Sequence, residues 1–125
     1  MENLPAKANI INITMEQGAD RVIVLTWYHT AKASANKVDL TGATASMQIR
    51  TTVEDATPLL TLDTGVNGGI ALGGAAATIT VTITDTQTAA MDFDDAVYDL
   101  VVTLSDGSKH RVAKGVITLD KGVTR

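Results

Sequence analysis

Cysteine is missing from this 125-residue chain. With it go thiol nucleophiles, Cys-zinc centres and any disulfide framework. Aromatic residues are almost missing too: one Trp, two Tyr and one Phe. That scarcity removes the stacking platforms on which single-stranded nucleic acid binds. Neither sign of charge dominates, since ten Lys and Arg against fourteen Asp and Glu leave a net charge of −4. The basic residues are scattered, and no stripe suits a nucleic-acid backbone. No apolar run approaches the roughly 20 residues that a membrane-crossing helix needs. The opening MENLPAKANIIN lacks the charged-then-apolar layout of a secretory signal. A protein made in a cytoplasm and used in solution is the expectation.

What the chain does have is Thr, 19 times, and Ala, 17 times. Thr and Val favour strands because branching at Cβ suits a pleated surface. The length fits one domain that buries roughly two thirds of its unfolded surface, enough for a core without staples. Residues 1–9 carry Leu4 and Pro5 and stand outside any alternating pattern. They read as an extended arm, followed by one domain over 10–125.

Alternation then marks the strands. Ile11, Ile13 and Met15 alternate. RVIVLTWY (21–28) is strand-like on both faces, with Ile23, Leu25 and Trp27 on one and Val22, Val24 and Tyr28 on the other. After a polar loop, VDLTGATASMQIR (38–50) sets Ala45, Met47 and Ile49 against Thr44, Ser46, Gln48 and Arg50. LLTLD (59–63) and the brief GIAL inside a Gly-rich stretch are short strands. ATITVTIT (77–84) points Ile79, Val81 and Ile83 inward and Thr78, Thr80, Thr82 and Thr84 outward. DTQTAAMDF (85–93) is the sole helix candidate, one or two turns long, with Asp85 able to cap it. AVYDLVVTL (96–104) and KHRVAKGVITL (109–119) flank SDGS, whose Asp-Gly tolerates the positive φ of a hairpin turn.

Seven or eight strands with turn signals every 8–15 residues and almost no helix indicate an all-β fold. The pattern is that of an antiparallel, immunoglobulin-like β-sandwich without the Ig disulfide, with a small barrel as runner-up. Trp27 is the expected core anchor.

Candidate chemistry is thin. His29 and His110 lack the paired carboxylates of a metal site. The three carboxylates of DFDD (92–95) suit calcium in type, yet the EF-hand spacing is missing. GGIALGG (68–74) leads into a strand and has no Lys, unlike a phosphate loop. Ser105, Asp106 and His110 cluster in sequence, but nothing supplies an ordered base and an oxyanion hole. The expectation is therefore no enzyme, no metal, no cofactor and no small-molecule substrate. The Thr ladder of 78–84 reads as a solvated face or a packed protein interface.

Taken in order, EQGAD, a strand ending in LTW, VDLTGATASMQIR, GGIALGG leading into ATITVTIT, TAAM, and YDLVVTLSDGSKHRVAKGVITL resemble small tailed-bacteriophage structural proteins. Among these are proteins similar to the N-terminal domain of upper baseplate proteins. The likeness covers roughly residues 15–120, and VDLTG before an alternating strand with a terminal Arg is its sharpest part. It implies an Ig-like sandwich acting as an adaptor in the tail, neck or baseplate of a virion. Its partners would be other virion proteins and copies of itself in a ring, with neither nucleic acid nor membrane bound. The larger relatives continue into helical, fibre-bearing or receptor-binding parts; a chain ending at Arg125 implies a stand-alone adaptor. Leu4, Pro5, Thr78, Thr80, Thr82 and Thr84 are the expected interface residues. A capsid decoration protein is one alternative. A cellular adhesin-like or carbohydrate-binding module is another, though such modules usually display more aromatic surface.

Overall fold

The computed structural model describes residues 9–27 and 37–122. Its strands are β1 (Asn9–Ile10), β2 (Ile13–Glu16), β3 (Arg21–Thr26), β4 (Thr44–Arg50), β5 (Leu60–Asp63), β6 (Ile70–Leu72), β7 (Thr78–Ile83), β8 (Asp95–Thr103) and β9 (Lys109–Asp120). One short helix, α1, spans Asp85–Ala89, and a 3-10 turn spans Gly74–Ala76. The larger sheet runs β1-β9-β8-β4-β5, with β2 also on β9; the smaller runs β3-β7-β6. The all-β sandwich expected from alternation is what the chain forms.

The period of two survives in the burial. Along β4, Ala45, Met47 and Ile49 are buried, and along β7 so are Ile79, Val81 and Ile83. Tyr98, Leu100 and Val102 of β8 and Ile117 and Leu119 of β9 complete a core between the sheets. Val38 and Leu40 join it just before β4, where Asp39 Oδ1 accepts from Thr41 N at 3.0 Å and Thr41 Oγ1 at 2.7 Å. These two bonds, the hydroxyl's the stronger, hold the Asp39 carboxyl below its usual range.

One edge departs from the antiparallel pattern. β1 and β2 both lie parallel to β9, with Ile10 beside Lys114 and Ile13 beside Ile117. They are one edge strand with a break at Ile11–Asn12, so the nine segments of the described residues make eight strands. At the break Asn12 Oδ1 accepts from Val116 N at 3.1 Å, in place of a backbone carbonyl. The freed Ile11 carbonyl accepts from Tyr98 OH at 2.6 Å. Gly115 makes room for this crossing, since a Cβ there would lie 2.3 Å from Ile11 O.

Other local expectations are corrected. Thr84, not Asp85, caps α1: Thr84 Oγ1 accepts from Gln87 N at 3.2 Å and Gln87 Oε1 accepts from Thr84 N at 2.9 Å. That is a capping box, and T-x-x-Q is its sequence signature. Asp85 instead sits in the first turn. The SDG hairpin uses positive φ at Gly107 alone, 91°, while Asp106 accepts from Ser108 N at 2.9 Å. β3 alternates as expected, with one face covered and the other open. Trp27 beyond its end is buried and Ile23 and Leu25 are half-buried, whereas Val22 and Val24 are exposed. Of the expected arm, residues 1–8, with Leu4 and Pro5, lie outside the described residues, and Asn9 already belongs to β1.

Candidate functional site

Two outer surfaces gather the groups that could meet a partner. The first is the outer face of the three-stranded sheet. Register places Val22 beside Thr82, Val24 beside Thr80 and Thr26 beside Thr78, with Ala71 on the other flank of Thr80. Thr78, Thr80 and Thr82 are half-buried, so their neighbours already cover much of each side chain. The result is an uncharged surface of methyls and hydroxyls. Thr84 is not part of it, because its hydroxyl is committed to the cap of α1.

The second is a groove of about 470 Å³ on the outer face of the six-stranded sheet. Ile10, Val53 and Val116 line it, all large apolar side chains left exposed to solvent. Arg50, Arg111 and Lys114 stand around them. Among the described residues Asp99 is the lone carboxylate in the lining, held by Arg111 Nε at 3.3 Å. Arg50 donates to Asp55 O and to Gln48 Oε1, each at 2.6 Å, which fixes its guanidinium at the rim. Tyr98 lies beneath, and burial pushes its phenol up to about 12, so it stays a neutral donor to Ile11 O. Excess cation on an apolar floor, in a chain of net charge −4, suits an acidic, partly apolar protein surface.

The residues that the sequence singled out for chemistry fall elsewhere. His110 is half-buried, with its ring centroid 5.6 Å from that of Trp27. Trp27 Nε1, buried beside it, has no hydrogen-bond partner among the described residues. His110 Nε2 lies 3.1 Å from Ser108 Oγ, and that hydroxyl is 2.6 Å from Asp106 Oδ1. Ser108, not Ser105, therefore enters the cluster, and it stands in the middle. In a nucleophilic triad the imidazole stands between serine and carboxylate and takes the serine proton. Here that proton goes to Asp106, whose carboxyl is held below its usual range mainly by the Ser108 hydroxyl. The order is wrong for activating a nucleophile.

The DFDD carboxylates diverge in use. Asp92 and Asp94 face Lys121 Nζ at 3.6 and 3.3 Å, and Asp95 Oδ1 accepts from Thr118 Oγ1 at 3.1 Å. Among the described residues no group of His and carboxylates is placed to hold a metal ion. His29 lies outside the described residues. The glycines of GGIALGG serve close packing: a Cβ at Gly68 would lie 2.3 Å from Asp63 O. No described helix is long and apolar enough to cross a membrane.

The groove escaped sequence reasoning because its apolar members come from three separate segments. Val22 and Val24 carried a usable signal, since an inward Trp27 forces even-numbered neighbours on that strand outward. The chain matches no protein-family model and no curated protein.

Proposed function

We propose that the chain is a structural protein of a tailed-phage virion, an adaptor in the tail, neck or baseplate region. It binds other virion proteins through the outside of its sandwich and performs no catalysis. The observation that carries this reading is the groove on the larger sheet, where Ile10, Val53 and Val116 meet Arg50, Arg111 and Lys114. Exposed apolar residues gathered in one place, with charge around them, are the mark of a protein interface. The ordered likeness of VDLTGATASMQIR and the following elements to phage structural proteins supplies the setting.

The test is protein identification in purified particles of the phage that encodes the chain, followed by incorporation assays. The wild-type chain is expected in particles at a fixed copy number. Val53→Glu with Lys114→Glu places carboxylates where the groove is apolar and basic. Incorporation should fall at least about tenfold, the equivalent of roughly 1.4 kcal/mol of contact energy, while the melting temperature holds. Deletion of residues 1–8 keeps the Asn9–Ile10 pairing with β9 and should lower incorporation without unfolding the sandwich. Absence of the chain from particles would overturn the reading.

A further inference from the structure

We infer that the open edge of the three-stranded sheet is a self-association site. In this pairing β3 of one copy adds antiparallel to β3 of a second copy, across a two-fold axis at Val24. The inference does not rest on a virion role.

The backbone sets it up. β3 pairs with β7 and with no other described strand. Trp27 N donates to Ala77 O at 3.0 Å, just past the end of β3. Antiparallel ladders alternate, so Leu25, Ile23 and Arg21 also turn their N–H and C=O groups toward β7. Those of Val22, Val24 and Thr26 point to the open side, where no described group bonds to them. Proteins normally blunt such edges with Pro, Lys, a bulge or a cover. RVIVLT has neither Pro nor Lys, and its register with β7 runs unbroken from Arg21↔Ile83 to Thr26↔Thr78. Val22 and Val24 remain 54% and 60% exposed. A β-branched edge with unpaired backbone groups is complementary to another extended strand.

A second copy fits better than an arbitrary peptide. A two-fold axis at Val24 sets Val24 opposite Val24, Val22 opposite Thr26, and Ile23 opposite Leu25. The outward groups of Val22, Val24 and Thr26 then meet the same set in the partner, as a self-complementary contact requires. A shift of one residue would face outward groups with inward ones. A shift of two toward the start of β3 would draw in Asp20, whose carboxylate already accepts from Asp85 N at 2.6 Å. Arg21, the strand's sole ionic side chain, ends up about 20 Å along the ladder from its mate, at roughly 3.4 Å per residue. The Val and Thr faces of both copies merge into one surface. The edge left over is β6, three residues long, and too short to be a hazard.

Sedimentation equilibrium of the full chain, with engineered cysteines in a protein that has none, tests this. Wild type is expected to dimerise with rising concentration. Val24→Lys puts like charges directly opposite each other, and should raise the dimer Kd at least about tenfold while the melting temperature measured at monomeric concentration stays unchanged, because the site is exposed there. Val24→Cys, treated with diamide, should yield a disulfide-linked dimer: paired Cα atoms about 5.5 Å apart fall within disulfide reach. Val22→Cys should stay monomeric under the same oxidation, its mate lying four residues, about 14 Å, along the ladder. A wild-type chain still monomeric at about 1 mM overturns the inference, since that limits any Kd to the weakest range. So does a dimer that Val24→Lys leaves intact, or one in which Val22→Cys links as readily as Val24→Cys.

Discussion

Gly115→Ala is the substitution with the most consequence for its size. Gly115 faces Tyr98 across the β8–β9 ladder. A Cβ there would lie 2.3 Å from Ile11 O and 2.8 Å from Ile11 C. Both are backbone atoms, so relief requires the whole break between β1 and β2 to move. Three bonds move with it: Tyr98 OH to Ile11 O at 2.6 Å, Ile11 N to Lys114 O at 2.8 Å, and Val116 N to Asn12 Oδ1 at 3.1 Å. Overpacking costs about 1–3 kcal/mol. A buried phenol deprived of its acceptor adds about 1–3 kcal/mol. Some of the strain is shared, so the expected total is about 2–4 kcal/mol, or a melting temperature lower by about 10 °C in a domain of this size. Thermal unfolding followed by far-UV circular dichroism measures it. Tyr98→Phe removes the same hydrogen bond without the clash. In the Gly115→Ala background it should therefore cost about 1 kcal/mol less than it does alone. A melting shift under about 2 °C, or strictly additive costs, would refute the reasoning.

Trp27→Ala should cost about 3–5 kcal/mol in urea unfolding, as large core truncations do, because Trp27 is only 5% exposed; a loss under about 1 kcal/mol would remove it from the core. Thr84→Ala should cost about 1 kcal/mol by breaking the capping box, and Asp85→Ala clearly less, so the reverse order in melting temperature would contradict the cap assignment. Burial raises the Tyr98 phenol from 10.0 to about 12, so the folded state holds that proton more tightly than the unfolded chain. Its stabilisation is fully present below pH 10.0 and is lost as pH rises toward about 12. The stability difference between wild type and Tyr98→Phe should be flat up to that window and shrink across it; a difference flat throughout refutes the linkage.

Alternation made the sandwich legible because β4, β7 and β8 each bury one face only. In ATITVTIT and in the strand before Arg50, every buried side chain is one that the period of two points inward. The same logic failed where a local polar bond outranked the pattern. Thr84 continues the Thr ladder by spacing, yet Gln87 three residues on draws it into a cap. Asp106 read as a residue suited to positive φ, yet it spends its carboxylate on Ser108 and leaves the positive φ to Gly107. In each case the competing partner was within three residues and could have been found.

The parallel edge is a different matter. Residues 9–16 alternate too weakly to show which strand they join. Their placement depends on Asn12, Gly115 and Tyr98, which are separated in sequence and brought together at one crossing. Only once Ile10 lies beside Lys114 does an exposed isoleucine become part of a groove with Val53 and Val116. Each of these residues alone is an ordinary exposed apolar side chain. Their meeting is a property of the β1–β9 register, which is why the surface most suited to a partner carries the faintest mark in the sequence. It also joins the groove to the fold: whatever displaces Ile11 at Gly115 shifts Ile10 on the groove's rim, so the site's shape depends on the same crossing that closes the sheet.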